Sequence, residues 1–319
     1  MTNSSSEGEF ALIARLFAPL AAAPGAFGLK DDVALIAPRA GHDLVVTTDM
    51  IVEGVDFFAD DPPASIARKA LRVNLSDLAA KGVEPSGYLL NLALPRGTEI
   101  GWLEEFARGL RDDQQTYGIG LLGGDTGSTP GPLSISITAF GHVPAGRLVR
   151  RNGARDGDLV FVTGTIGDSG AGLSLLKEPA QSTSAEAHAR LIGRYRVPEP
   201  RVAFAPAVRN ASASIDVSDG LLADLGHIAE QSNVRIVIEA GRIPRSPELA
   251  ALWRDGNEAI VRAATAGDDY EIAFTAPSLI HDARTPVTCI GRVEEGAGVV
   301  LLDSAGREIP VARPGFTHF

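Results

Sequence analysis

The chain is poor in several things at once. A single cysteine, Cys289, stands among its 319 residues, so no internal disulfide can staple the fold, and a reducing cytoplasm is the expected setting. No segment reaches the roughly 20 uninterrupted apolar residues that a membrane-spanning helix needs. The nearest candidate, Phe10 to Ala23, is broken by Arg15 and preceded by Glu7 and Glu9, where a secretory leader carries positive charge. It reads as an amphipathic helix with Phe10, Ile13 and Phe17 at helical spacing, and no membrane partner is expected. Basic charge is also short: 29 Lys and Arg stand against 40 Asp and Glu, a formal net charge of −11. That balance argues against nucleic-acid binding, which relies on clustered cations to neutralise phosphates. Two familiar nucleotide signatures are missing as well. No Gly-rich loop runs into Gly-Lys-Ser/Thr, and no protein-kinase catalytic loop occurs, which excludes both of those kinase classes.

What is present is the alternation of an α/β protein of two domains. Leu44 to Thr48 is a β-rich run, and Ala64 to Ala80 carries Ile66, Ala70, Val73 and Leu78 at helical spacing before stopping ahead of Gly82. Thr98 is the expected N-cap of a second helix using Leu103, Phe106 and Leu110, and Leu133 to Ala139 alternates as a half-buried strand. From Gly146 to Asp158 the composition turns basic and Gly-rich, which sets the expected domain boundary: 1–148 and 149–319. Beyond it, strands are expected over Leu159–Thr163, Ser214–Val217, Arg235–Glu239, Tyr270–Phe274 and the stretch holding Cys289. Gln181–Glu186 reads as an exposed loop.

The aspartates carry the chemical signal. Asp31-Asp32 follows a Gly-rich turn, Asp49 ends Val-Val-Thr-Thr-Asp, Asp125 ends Leu-Leu-Gly-Gly-Asp, and Asp216 and Asp219 bracket Val-Ser. Any one of them could be an ordinary cap or Asx-turn. Asp77 is different, because it falls inside a helical pattern between Leu75 and Leu78, with Asn74 adding a second polar group to the same face. If several carboxylates converge, two within about 4 Å repel by about 4 kcal/mol at an effective dielectric near 20, so cations must compensate. An all-oxygen set of carboxylates and hydroxyls suits Mg²⁺ rather than zinc. An acidic pocket that receives phosphates through divalent cations is the arrangement of phosphoryl transfer. The Gly164–Gly172 turn could offer N–H groups to an anion or merely reverse the chain. Arg147, Arg150 and Arg151 could be a solvated patch or include a phosphate donor.

Seven segments, in order, resemble bacterial thiamine-monophosphate kinases: Glu9 to Arg15, Asp31-Asp32-Val-Ala, Thr47-Thr48-Asp49, Val73-Asn74-Leu-Ser-Asp77-Leu-Ala-Ala, Gly123-Gly124-Asp125-Thr126, Asp216-Val-Ser-Asp219-Gly220 and Gly267-Asp268-Asp269-Tyr270-Glu271. The wider superfamily, with aminoimidazole ribonucleotide synthetase and selenophosphate synthetase, shares some of these motifs but not the set. The resemblance implies a mixed α/β, two-domain aminoimidazole ribonucleotide synthetase-like fold, a homodimer formed through the N-terminal sheet, and ATP bound between the domains. It implies transfer of the ATP γ-phosphoryl group to thiamine monophosphate with several Mg²⁺ ions, commonly with K⁺ as activator. By motif, Asp32, Thr47, Thr48, Asp49, Asp77, Asp125 and Asp216 would hold Mg²⁺, and Asp219 would add a ligand beside the transferred group. Tyr117, Gly124, Asp125, Arg151 and Ser218 would contact ATP, and Asp56, Asp268 and Phe316 the thiamine substrate. The family usually has His at the position of Asp56 and Glu at that of Asp268. No catalytic His is expected, since a phosphate oxygen already ionised at neutral pH needs no general base. Two alternatives stay open: an ATP-dependent ligase or cyclase of purine biosynthesis, and a non-catalytic sensor of nucleotide or thiamine phosphate.

Overall fold

A computed structural model of the chain describes residues 9–178, 183–254 and 256–317. Those residues form two compact units, one of 9–74 with 85–142 and the other of 75–84 with the described residues between 143 and 317.

The first unit opens with α1 (Glu9–Leu12), which runs on as a π-helical turn over Ile13–Phe17 and a 3₁₀ turn over Ala18–Leu20. The segment is helical as its spacing suggested, and Leu16, Phe17 and Leu20 are its buried residues. Strand β1 (His42–Val52) is followed by α2 (Pro63–Ala80), β2 (Glu84–Pro95), α3 (Ile100–Tyr117), β3 (Gly120–Thr129) and β4 (Ser134–Pro144). The four strands make one sheet in the order β1-β4-β2-β3, with β2 and β3 parallel. Along β4, buried Ile135, Ile137 and Ala139 alternate with half-exposed Ser134, Ser136 and Thr138, the period-two pattern of a sheet with one packed face. Thr98 is not the cap of α3. Glu99 occupies that position, and the Thr98 hydroxyl instead donates to the Pro95 carbonyl at 2.8 Å, closing the turn before the helix. Phe106 and Leu110 of α3 and Leu71 of α2 are fully buried, each worth about 1.5–3 kcal/mol of transfer free energy.

The second unit continues with β5 (Leu159–Thr163), α4 (Asp168–Lys177), α5 (Ala185–Arg196), α6 (Ala205–Val208), β6 (Ala213–Asp216), α7 (Leu221–Ser232), β7 (Arg235–Glu239), α8 (Pro247–Leu252), α9 (Asn257–Ala264), β8 (Ile272–Ala276), β9 (Val287–Glu294) and β10 (Gly298–Leu302). Its six strands run in the order β10-β7-β9-β5-β8-β6, antiparallel except for the β10–β7 pair. The sheet is buried on both faces. Val160, Val162, Ile215 and Ile290 pack with Leu221, Leu225 and Ile228 of α7, while Phe161, Phe204 and Phe274 form a separate cluster with ring centroids 5.2 and 5.6 Å apart. Cys289 lies half-buried in β9. Of the expected loop over Gln181–Glu186, residues 181 and 182 lie outside the described ones, and Ser184 caps α5 by accepting from Ala187 N at 3.1 Å, so the helix has already begun at Ala185. The strand expected from Tyr270 starts two residues later. Asp268 and Tyr270 take φ of 67° and 53°, left-handed values that no strand accommodates.

Candidate active site

In the first unit, the loop holding Asp31 and Asp32 and the middle of β3 with Gly123, Gly124 and Asp125 line one cleft of about 820 Å³, together with Leu90 and Asn91. Parallel pairing sets Asn91 opposite Asp125 and Leu90 opposite Gly124. Its lining also includes apolar Ile13, Phe17, Leu121 and Phe140. Asp49 is tied to α2 through its own backbone, whose N–H donates to Asn74 Oδ1 at 3.1 Å; the fully buried Asn74 amide in turn donates to Ala70 O. Its polarity inside the helix is therefore used to fix a strand. Thr48 Oγ1 donates to Ile137 O at 3.1 Å and accepts from Thr138 Oγ1. Asp56 turns its carboxylate back onto β1, accepting from Val52 N at 2.7 Å, while its carbonyl accepts from the buried Lys69 Nζ at 2.8 Å. Tyr117 ends α3 with the Arg72 guanidinium 5.3 Å from its ring centre, and it does not line the cleft.

In the second unit, Ser76 Oγ donates to Asp216 Oδ2 at 2.8 Å, and the Lys81 ammonium bonds to the carbonyl of Ser214. Asp216 is buried. Burial, reinforced by Asp77 and Asp224, drives its carboxyl well above the ordinary range, and the Ser76 hydroxyl and Lys81 only partly offset this. Burial likewise pushes Lys81 down to about 8, against the pull of Asp216 and with the push of Arg151. Asp77, Asp216, Lys81 and Arg151 thus share one electrostatic neighbourhood.

The loop after β6 gathers three separate stretches of chain. The Ser218 carbonyl accepts from Asp268 N at 2.8 Å, and the Asp219 carbonyl accepts from Phe316 N at 2.9 Å. Val217 exchanges backbone hydrogen bonds with Tyr270 and Glu271, each 2.8 Å. Both approaches require glycine: a Cβ on Gly267 would stand 2.6 Å from Ser218 O, and one on Gly315 would stand 2.5 Å from Asp219 O. Phe316 is 54% exposed. The structure therefore brings Asp216, Ser218, Asp219, Asp268 and Phe316 together. Of the terminal Gly315-Phe316-Thr317-His318-Phe319, the last two residues lie outside the described ones.

Three residues to which motif reading gave no role, two of them inside the Gly267–Glu271 motif, hold this arrangement. Asp224, in the first turn of α7, accepts from the backbone N–H groups of Ser218, Asp219 and Gly220 at 3.0, 3.1 and 3.1 Å; burial and the nearby Asp219 push its carboxyl up to about 7. Its only signal in sequence is an acid four positions after Gly220. Asp269 accepts from Gly167 N at 2.6 Å and Ser169 N at 3.2 Å, so the N–H groups of the Gly164–Gly172 turn are taken by the protein's own carboxyl group. Glu271, wholly buried, accepts from Thr163, Arg194 and Arg201. Of the basic patch, Arg147 donates to Arg209 O at 3.2 Å, whereas Arg151 is exposed and acts on Lys81 through its charge.

The donor chemistry suits a hard divalent cation. Asp32 and Asp125 share a cleft in the first unit, and Asp216 in the second is a buried carboxylate crowded by two others, which a cation would relieve. Asp219, Asp224 and His227 also place one donor atom each within 4.8 Å of one another.

Residues 30–143 match the family model for the AIR synthase related protein N-terminal domain, and residues 155–304 match that for its C-terminal domain. The thiamine-monophosphate kinase of Caulobacter vibrioides is 43% identical, with 97% of this chain and 90% of that protein covered; that of Escherichia coli K12 is 39% identical, with 98% of each covered. This chain belongs to the thiamine-monophosphate kinase family. The two-domain mixed α/β fold of the AIR synthase type follows from the same matches. Among solved structures of the family, the Stenotrophomonas maltophilia K279a enzyme is 41% identical, with a TM-score of 0.78 over 86% of this chain and 89% of that one. A structure of AaThiL complexed with AMPPCP and TMP is 33% identical, with a TM-score of 0.80 over 100% and 99%. Hydrogenase maturation protein HypE in complex with ATP, 19% identical with a TM-score of 0.76, shares the fold.

Proposed function

We propose that this chain transfers the γ-phosphoryl group of ATP to the phosphate of thiamine monophosphate, giving thiamine diphosphate and ADP. The observation that carries the reading is the meeting of the Ser218–Asp219 loop with the segments bearing Asp268 and Phe316, in a chain alike over its whole length to a kinase structure holding AMPPCP, an ATP analogue, together with TMP. Asp32, Thr47, Thr48, Asp49 and Asp125 of the first unit and Asp77, Asp216 and Asp219 of the second are the Mg²⁺ ligands of this reading. Bound Mg²⁺ would neutralise carboxylate and phosphate charge that otherwise repels the nucleotide. Tyr117, Gly124, Asp125, Arg151 and Ser218 contact ATP in this reading, while Asp56, Asp268 and Phe316 border the thiamine moiety, the aromatic Phe316 suiting a cationic thiazolium or a pyrimidine face.

The acceptor phosphate oxygen attacks the γ-phosphorus in line with the departing ADP oxygen. It is already ionised at neutral pH, so no side chain need remove a proton, and the work of the protein is alignment. K⁺ is expected to raise the rate and the cytoplasm to be the working compartment; among the described residues no helix is long and apolar enough to cross a membrane. The working assembly in this reading is a homodimer. Edge strand β1 leaves Leu44, Val46 and Met50 47%, 54% and 62% exposed at alternate positions, a face suited to a second copy. Replacing Val46 with Asp should then yield monomer in light scattering, and an unaltered mass would remove this face from the interface.

Incubating the purified chain with ATP, Mg²⁺ and thiamine monophosphate tests the function. Thiamine diphosphate should appear in step with ADP. ADP without that product would reject the kinase, and consumption of an amidine ribonucleotide would instead support the ligase or cyclase. Calorimetric binding with no turnover would leave a sensor.

A further inference from the structure

The loop Ser218-Asp219-Gly220 directs its backbone groups in two opposite directions. Its three N–H groups converge on a single oxygen, Asp224 Oδ2, at 3.0, 3.1 and 3.1 Å. Its carbonyls point the other way, that of Ser218 to Asp268 N and that of Asp219 to Phe316 N. Asp224 is 2% exposed and sits on α7, whose Leu221, Leu225 and Ile228 are locked in the core, so the carboxylate is a fixed anchor. Three donors on one acceptor define the loop's orientation, because no single-bond rotation of the loop keeps all three.

We propose that Asp224 is a positioning residue: it clamps the Ser218–Gly220 backbone, and through that one loop sets the placement of Ser218, Asp219, Asp268 and Phe316 together. The inference rests on the phosphoryl-transfer reading for its catalytic half, since Ser218 serves the ATP side there and Asp268 and Phe316 the acceptor side. The clamp itself rests on the hydrogen bonds alone. Removing it lets the loop rotate, and both substrates lose alignment at once, whereas a substitution that only destabilises the fold reduces the amount of active protein and leaves each KM unchanged.

The test compares wild type, Asp224→Asn and Asp224→Ala on the full-length chain, with thermal melting to confirm folding. Amide hydrogen exchange without ligands should be at least tenfold faster at residues 218–220 in Asp224→Ala, with amides from Leu225 onward unchanged. Steady-state assays should give KM values for ATP and for thiamine monophosphate that both rise by about tenfold and a kcat lower by about 100-fold, the scale of a 1 Å misplacement. Asp224→Asn, which keeps one acceptor oxygen, should fall between. Unchanged exchange at 218–220, or KM values for both substrates within twofold of wild type, would overturn the proposal. The exchange measurement needs no substrate, so a wild-type chain that made no thiamine diphosphate would remove the kinase reading while the clamp would still stand or fall on its own readout.

Discussion

The hydroxyl of Ser76 donates a 2.8 Å hydrogen bond to Asp216 Oδ2, joining the last turns of α2 to the end of β6 inside the second unit. Both residues are buried, Ser76 at 0% and Asp216 at 5% exposure, so the bond is the solvation of that carboxylate oxygen rather than an ornament to it. Ser76→Ala should lower stability by about 1–3 kcal/mol, the cost of leaving a buried acceptor without its partner. It should also raise the Mg²⁺ concentration needed for half-maximal turnover, because the ligand oxygen would lose its orientation. Urea unfolding and a Mg²⁺ titration of activity check the two parts. Mg²⁺ dependence identical to wild type would count against Asp216 as a ligand.

Glu271 is joined to the loop after β6 through its carbonyl, which accepts from Val217 N at 2.8 Å. With no exposed surface, it accepts from Arg194 Nη2 at 3.0 Å, Arg201 Nε at 2.6 Å and Thr163 Oγ1 at 2.7 Å. Glu271→Ala would leave guanidinium charge buried without its carboxylate, an imbalance of about 3–5 kcal/mol. Glu271→Gln should be milder, since it keeps an acceptor. Chemical denaturation of both variants measures the difference; a loss below about 1 kcal/mol for alanine would mean that the cluster is not structural.

Much of this organisation can be read from the residues in order. The polar pair Asn74 and Asp77 in a helical pattern announced a helix with a chemical face, and Asn74 indeed secures Asp49 by a backbone bond. Of the aspartates read as strand ends, Asp216 does close β6, whereas β1 runs on past Asp49 to Val52 and β3 past Asp125 to Thr129. Local rules failed where tertiary partners decide. The Thr98 hydroxyl closes a turn instead of capping, and Asp268 and Tyr270 hold left-handed backbone because Asp269 and Glu271 are anchored below them. Whether the Gly164–Gly172 turn receives an anion or merely reverses the chain is open in the sequence; its Gly167 N–H donates to Asp269, about 100 residues away, which no spacing argument could pair with it. Asp224 stayed hidden for the opposite reason, since an acid in a first helical turn looks ordinary until its three donors are seen.

Asp269 gives a pH signature. Burial drives its carboxyl well above the usual 3.8, outweighing the Gly167 and Ser169 N–H groups and Arg194, with Asp168 adding to the rise. An acid whose folded-state value lies above the unfolded one favours the fold most at low pH, and that contribution is lost as pH rises through the raised value. Asp269→Asn removes the titration and keeps an acceptor oxygen. The melting temperature of wild type relative to this variant should therefore decline as pH increases above about 4. A difference constant from pH 4 to 8 would show an ordinary carboxyl.

The most direct test of the central claim follows ³¹P NMR spectra of ATP, Mg²⁺ and thiamine monophosphate in the presence of wild-type chain or Asp77→Asn, a change of charge at nearly constant volume. Wild type should build up the paired phosphorus resonances of thiamine diphosphate as those of ATP decline, while the variant, with an unaltered melting temperature, should leave the spectrum static. Thiamine diphosphate formed at the wild-type rate by Asp77→Asn would contradict the assignment of these carboxylates to phosphoryl transfer.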